Sequence, residues 1–373
     1  MKLNILVVPD KFKGTLTAAQ AAAAIHQGWN EIRPNDRIEE QPMADGGDGF
    51  GEVLGQLLGA DRQLCATVDS AGRARVAEWW LNRDTRTAVV ETAQVNGLAL
   101  LPAGKYRPFD LDTFGIGAVL KQAAGAGARY LYVGIGGSST NDGGFGLARA
   151  LGWRFLDASG AEIPIWTGLE TLTKVVEPSN PLAFDELIIA VDVNNPLLGA
   201  EGASRAYGLQ KELREEEDIV KAEACLARLA EIMATLRGED FSLYPGAGAA
   251  GGLGFGLKAF CGGKFESGAG IFMRESRLVQ RIEAADLIIT GEGKMDTQTL
   301  RGKGVGVIAE AAARAGKPCI CLAGFVDIDT ACVPWSNFKS YAIVSGIVTS
   351  EESQTHAADC LRRLARHAAQ EFH

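Results

Sequence analysis

The chain has 373 residues, 47% of them hydrophobic and 22% charged, which supplies a sizeable core and excludes global disorder. That length accommodates two domains, or one large α/β domain carrying an insertion. A formal charge of −9 argues against a nucleic-acid binder or an acidic-membrane binder, while a locally basic pocket or a metal ion still admits an anionic small molecule.

The first apolar run, Leu3 to Val8, ends at Pro9 and reads as a buried strand. It is too short for a signal-peptide core, and no later stretch reaches the ~18 apolar residues of a membrane span, so a cytoplasmic chain is expected. "TAAQAAAAIHQGWNEIR" follows as a helix with Thr17 at its N-cap. "RIEEQP" reads as a second strand and "DGFGEVLGQLLGA" as a second helix, and residues 61–92 contain three β runs separated by turn residues, a meander or hairpin. Residues 128–137, 185–193, 285–293, 317–325 and 339–346 each read as a buried strand ending in small or acidic residues. Helices are expected at 215–237, near 300–315 and at 351–371, the last with an apolar stripe through Leu361, Leu364, Ala365 and Ala368. The seven cysteines lack paired spacing, and Cys319 and Cys321 alternate on one face of a strand as buried thiols. The four histidines are too dispersed for a zinc cluster.

Strands alternating with helices place the chain in the α/β class. The expected organisation is a Rossmann-like parallel sheet domain from residues 1–62 and 282–373, with a second α/β domain, 63–281, inserted in the middle of the chain.

In open α/β sheets ligands bind beyond the carboxyl ends of the strands. Six polar, glycine-rich clusters fall in such places: "PDKFKG", "MADGGDG", "GIGGSSTNDGGFG", "DVNNPLLGAEGA", "GAGAAGGLGFG" and "TGEGKMDTQTLRGK". The third, Gly134 to Gly146, has the makings of a phosphate cradle. Its glycines admit close backbone approach, Ser138, Ser139, Thr140 and Asn141 supply donors, and a helix begins behind them. Asp142 suits either an N-cap or a magnesium ligand. None of the Gly-Lys pairs is followed by Ser or Thr, so there is no Walker A loop, and no protein-kinase motif set occurs. A G-x-G-x-x-G at Gly246, Gly248 and Gly251 lacks a preceding strand and reads as a helix N-terminus packed close to another backbone rather than a dinucleotide fingerprint.

Asp10, Asp45, Asp48, Asp192, Glu292 and Asp296 lie in these small-residue loops beside Lys11, Lys13, Lys211, Arg301 and Lys303. Carboxylates, lysines and phosphate-type loops together are the parts that Mg-nucleotide phosphoryl transfer needs. No Ser-His-Asp arrangement, G-x-S-x-G elbow or zinc spacing is present, so hydrolase and zinc-enzyme readings lack their parts.

In this order the six motifs resemble those of the bacterial glycerate kinase family, type 1, from Val8 to about Phe325. The resemblance implies ATP-dependent phosphorylation of D-glycerate at the 2-hydroxyl with Mg²⁺, in a two-domain α/β enzyme whose active site occupies the interdomain cleft. On that reading Gly136, Gly137, Ser138, Ser139, Thr140, Asn141 and Gly143 bind phosphate. Lys13 and Lys303 are cationic clamps on phosphate or on the substrate carboxylate, and Asp45, Gln298 and Lys211 join Lys303 as substrate contacts. Asp192 is a metal ligand or general base with Asp296 its rival, and Asp142 is a second candidate for the metal. Four departures from the family pattern stand out: Lys11 in place of Ser, Asp48 in place of Glu, Glu212 in place of Gly, and no proline in "GKGVGVIA". Alternatives left open are a 3-phosphoglycerate product, another small hydroxy acid, an NAD-type hydroxy-acid oxidoreductase and a non-catalytic phosphometabolite-binding protein. The expected partner is the small-molecule substrate alone, with a homodimer left open.

Overall fold

The computed structural model describes residues 2–300, 304–329, 333–344 and 354–372. The chain separates into two compact units, one made of Met1–Asp45 with Ala269–His373, the other of Gly46–Gly268.

The first unit is built on a five-stranded sheet in the order β13-β12-β11-β1-β2, from β1 (Asn4–Pro9), β2 (Arg37–Glu40), β11 (Leu287–Met295), β12 (Cys319–Val326) and β13 (Phe338–Ala342). All four pairings are parallel. β1 is buried from Ile5 onward and β11 over its first five residues, the continuous apolar signature of a parallel strand covered on both faces. The helix Ala18–Asn30 begins with a capping box, in which the Thr17 hydroxyl accepts from Gln20 N–H while the Gln20 side-chain carbonyl accepts from Thr17 N–H. Its Gly28 lies against the closing helix, Ala357–Glu371. A Cβ there would come within 2.1 Å of the Arg362 carbonyl oxygen, so only glycine permits this approach. Counted within the unit the strand order is 2-1-3-4-5, which puts the topological switch between β1 and β11.

The second unit carries a six-stranded sheet, β10-β9-β6-β5-β4-β3. Its strands are β3 (Asp61–Val68), β4 (Ala74–Asn82), β5 (Thr87–Glu91), β6 (Tyr130–Gly134), β9 (Glu186–Ala190) and β10 (Lys264–Glu266). β3, β4 and β5 form an antiparallel meander, and β5, β6, β9 and β10 run parallel. A separate hairpin pairs β7 (Arg154–Leu156) with β8 (Lys174–Val176). The apolar core of the unit includes Trp79, Trp153, Trp166, Phe145 and Phe155. The helix Phe50–Leu57 belongs here because Gly51 and Gly55 lie flat on the Trp80 side chain, with added Cβ atoms 2.1 Å and 2.5 Å from it.

The sequence-predicted strands and helices all have counterparts among the described residues, with ends displaced by a few positions. The helix expected to open at 351 begins at Ala357, with 351–353 outside the described residues. Cys319 and Cys321 are buried, and burial pushes the Cys319 thiol up to about 12 and the Cys321 thiol well above its usual range. The units divide after Asp45 and after Gly268, where the sequence reading divides the chain after 62 and after 281. Helix Phe50–Leu57 packs on β4 and β5 and helix Leu278–Ala284 on β1, and those contacts set the division.

Candidate functional site

In the second unit, β6 ends at Gly134 and the glycine-rich loop begins. Gly136 N–H donates to the Gly46 carbonyl at 3.1 Å. Gly136 is half-buried and Gly137, at φ 76°, is exposed, so these two residues form the lip of the loop. A Cβ on Gly136 would meet the Gly47 Cα at 2.6 Å, and one on Gly137 the Asp48 carboxylate at 2.4 Å. Close backbone approach requires glycine at Gly136, and the left-handed φ of 76° favours it at Gly137.

Beyond the lip the polar side chains turn inward. Ser138, Ser139, Thr140, Asn141 and Asp142 are all buried. The Asn96 amide donates to the Ser138 and Thr140 hydroxyls at 3.3 and 3.2 Å, and the Ser139 hydroxyl lies 2.9 Å from that of Ser70. Asn141 donates to the Ser204 hydroxyl at 2.9 Å. Expected as phosphate donors, these side chains instead hold the loop in shape. Asp142 accepts from Thr113 N–H and Oγ1 and from the N–H groups of Gly144 and Gly146. The N-cap of helix Phe145–Ala150 is Gly144, not Asp142; with four donors on its oxygens, two of them Thr113 N–H and Oγ1, Asp142 instead ties the start of that helix to the segment at Thr113. Burial raises its pKa, and with Asp142 nearby the half-buried Asp112 is pushed up to about 6, chiefly by its own burial.

The fifth glycine-rich motif, Gly246 to Gly256, packs directly against this loop. Ala250, Gly251 and Gly252 occupy the left-handed region consecutively, at φ 56°, 70° and 84°. A Cβ on Gly251 would stand 1.9 Å from the Thr140 carbonyl oxygen, and Gly143 N–H donates to the Gly251 carbonyl at 3.0 Å. Gly144 and Gly256 also meet backbone to backbone, with an added Cβ on either 2.7 Å from the other's Cα. The motif is a helix start pressed onto another backbone, as its sequence context suggests. Lys211, expected as a substrate contact, is only 7% exposed and its Nζ donates to the Thr140 carbonyl at 2.6 Å. Burial lowers its pKa to about 7, partly offset by Asp142. Glu212 follows at φ 68°, a left-handed conformation that a glycine adopts without strain. Asp192 lies just past the end of β9, half-buried, and accepts from the Ser267 hydroxyl at 2.7 Å.

In the first unit, carboxylates gather at the switch between β1 and β11. Asp10 directly follows β1; its N–H donates to the Gly291 carbonyl at 2.8 Å and its carboxylate accepts from Lys11 N–H at 2.7 Å. Glu292 lies within β11 and accepts from the Thr299 hydroxyl at 2.7 Å, and that hydroxyl accepts from Asp296 N–H at 3.2 Å. Burial pushes Glu292 up to about 8; the Thr299 hydrogen bond pulls it down, and Asp10, Asp296 and Asp45 push it further up. Asp10, Asp45, Glu292 and Asp296 therefore share one electrostatic site. Lys13 is exposed in the turn after Phe12, its backbone nitrogen 3.3 Å from where a Cβ on Gly293 would lie. Lys303 and Arg301, and the Gln298 side chain, lie outside the described residues.

The expected site residues thus separate into the loop of the second unit, with Asp192, and the carboxylates of the first, with Lys13. The sequence reading missed Asn96 as a loop support; it named Glu292 among the loop carboxylates without a role of its own, and the structure places it within β11 at the centre of the acidic group. Glu292 carried a visible signal, a lone carboxylate inside an apolar strand pattern; Asn96 carried none. Among the described residues no three His, Cys, Asp or Glu side chains are arranged as a ready-made metal cage.

Fold and site define an α/β enzyme whose polar residues stand at the carboxyl ends of parallel strands. The model of the glycerate kinase family matches residues 5–373, and the chain belongs to that family. It is 37% identical to the glycerate 2-kinase of Escherichia coli K12 and 35% identical to the glycerate kinase of Bacillus subtilis 168, in each case over 98% of this chain and 97% of the relative. A crystal structure of a proposed glycerate kinase 2 from Salmonella typhimurium LT2 superposes with a TM-score of 0.83 at 34% identity, covering 99% of this chain and 98% of that one.

Proposed function

We propose that the protein transfers the γ-phosphoryl group of Mg-ATP to the 2-hydroxyl of D-glycerate, giving 2-phosphoglycerate and ADP. Family membership and the name of the Escherichia coli relative support the acceptor and its position. The observation that carries the chemistry is the group of four carboxylates at the switch point, with Glu292 raised to about 8 by burial and by its acidic neighbours.

That concentration of negative charge fits a cation. Magnesium is commonly held by one or two carboxylates together with substrate phosphates, which matches carboxylates that converge without forming a cage. Asp10 and Asp296 would hold it, with Asp45 adding negative charge beside them, and it would neutralise phosphate oxygens there. The chain's own residues do the rest. The exposed backbone at Gly137 receives phosphate, with Gly136 tied to the Gly46 carbonyl and the loop kept in shape by the buried side chains from Ser138 to Asp142. Lys13 pairs with phosphate or with the substrate carboxylate, and the family resemblance gives Lys303 and Gln298, whose side chains lie outside the described residues, as further substrate contacts. Glu292 takes the proton from the acceptor hydroxyl, because a base with a pKa near the working pH combines availability with driving force. A loose phosphoryl transition state asks for positioning and charge neutralisation and needs no covalent help.

D-glycerate-dependent ADP release tests the reading. Glu292→Gln should lower kcat by about 10²- to 10⁴-fold, the usual worth of a general base. In the wild type kcat/KM should rise with pH to a midpoint at or below about 8, since a cation bound beside Glu292 offsets the push from its acidic neighbours. A Glu292→Gln enzyme with wild-type kcat, or a flat profile between pH 6 and about 9, would remove Glu292 from this role.

A further inference from the structure

A second basin lies in the Gly46–Gly268 unit, at the amino ends of β5, β6 and β9, the ends opposite the glycine-rich loop. It has a volume of about 710 Å³, within the range of small-molecule sites. Arg83, Arg86 and Arg129 line it against a single carboxylate, Asp185. On a chain of net charge −9 this is a locally cationic surface. Arg129 is committed to Asp185 through two bonds, Nε at 2.8 Å and Nη2 at 2.6 Å. Among the described residues, the guanidinium groups of Arg83 and Arg86 make no hydrogen bond or ion pair, and both residues are exposed.

The backbone that carries them is fixed. The Arg86 carbonyl accepts from Arg129 N–H at 2.8 Å and Tyr130 N–H at 3.1 Å, and Asn82 accepts from Thr85 N–H at 2.9 Å. Arg86 itself sits at φ 54°, a left-handed conformation that glycine adopts freely and an arginine adopts under strain. A strained residue held by its surroundings is the kind of outlier from which a functional role is inferred. The helix Phe114–Gly125 also ends at the basin, which would set a negative dipole there. Its terminal carbonyls are taken, however: Ala128 N–H donates to Ala123 O and Gly127 N–H to Ala124 O.

We propose that this basin binds a small phosphorylated metabolite, with Arg83 and Arg86 on the phosphate, at a site separate from the glycine-rich loop. Guanidinium pairs bind phosphate in forked geometry, and a concave site of this size takes a small anion in preference to a polymer. The five residues of β6 separate the two sites by roughly 16 Å at about 3.3 Å per residue. Occupancy here is therefore compatible with occupancy of the loop.

The test is calorimetric titration with pyrophosphate at low ionic strength, on the full chain, comparing wild type with Arg83→Ala/Arg86→Ala and with Gly137→Ala. The double variant should lose one class of site, its affinity weakened at least tenfold, with an unchanged melting temperature and unchanged ADP release at saturating substrates. Gly137→Ala should keep that class. Identical isotherms for wild type and the double variant would overturn the proposal, as would loss of all binding in Gly137→Ala. Arg83→Lys/Arg86→Lys separates forked recognition from bulk charge: weakened binding supports the site as described, and full retention rejects guanidinium recognition.

Discussion

Gly251→Ala and Gly262→Ala form a matched pair that tests whether the two glycine-rich motifs are locked together. Both glycines lie in the left-handed region, at φ 70° and 71°, so each substitution carries the same backbone penalty of about 1–2 kcal/mol. They differ in what the new methyl group meets. At Gly262 nothing lies within 4 Å, whereas at Gly251 the Thr140 carbonyl oxygen is 1.9 Å away and the Asn141 Cα 2.6 Å. Overpacking of that kind typically costs about 1–3 kcal/mol. Separating the backbones also breaks the bond from Gly143 N–H to the Gly251 carbonyl, about 1 kcal/mol more. Gly251→Ala should therefore be less stable than Gly262→Ala by about 2–4 kcal/mol. Urea unfolding followed by tryptophan fluorescence suits the measurement, because Trp79, Trp80, Trp153 and Trp166, four of the six tryptophans, lie in this unit. Equal midpoints for the two variants would refute the packing of one motif on the other.

Asp112→Asn should stabilise the protein by roughly 1–2 kcal/mol at pH 8 and leave it unchanged near pH 4, taking about 1.4 kcal/mol for each pH unit between the folded and unfolded pKa and discounting for solvent screening. The folded pKa is near 6 against 3.8 unfolded, so the folded state binds the extra proton and the wild type loses stability as pH rises through that window, as thermal melts at both pH values would register. Glu212→Gly should change stability by less than about 1 kcal/mol, since relief of the left-handed strain at φ 68° offsets glycine's chain entropy and the lost pair with Arg214; a larger loss in urea unfolding would mean that the glutamate has another task. Lys211→Met should raise KM for ATP more than it lowers kcat, because it removes the support of the Thr140 carbonyl and no group that touches substrate; steady-state kinetics in which kcat alone falls would contradict that placement.

Elements and class were legible because they are local. Apolar runs of four to eight residues, Thr17 three residues before Gln20 and the alternation of Cys319 with Cys321 state their own geometry. The glycine-rich motifs announced close approach, but the partner of each approach is a long-range fact. Nothing near Gly251 says that it meets Thr140, 111 positions earlier in the chain. The same distance problem hid Asn96, whose amide serves a loop more than forty residues away. Side-chain direction was hidden as well. Ser, Thr and Asn beside glycine look alike whether they face a ligand or the protein interior, and here they are buried against Asn96, Ser70 and Ser204. Lys211 shows the other limit: burial of a long cation requires tertiary contacts that spacing does not encode.

The most direct test of the account is phosphorus NMR of the product formed from Mg-ATP and D-glycerate. The account predicts stoichiometric ADP and a single phosphomonoester at the 2-position. ADP formed with the phosphate on the 3-hydroxyl, or no ADP released above the glycerate-free rate, would contradict it.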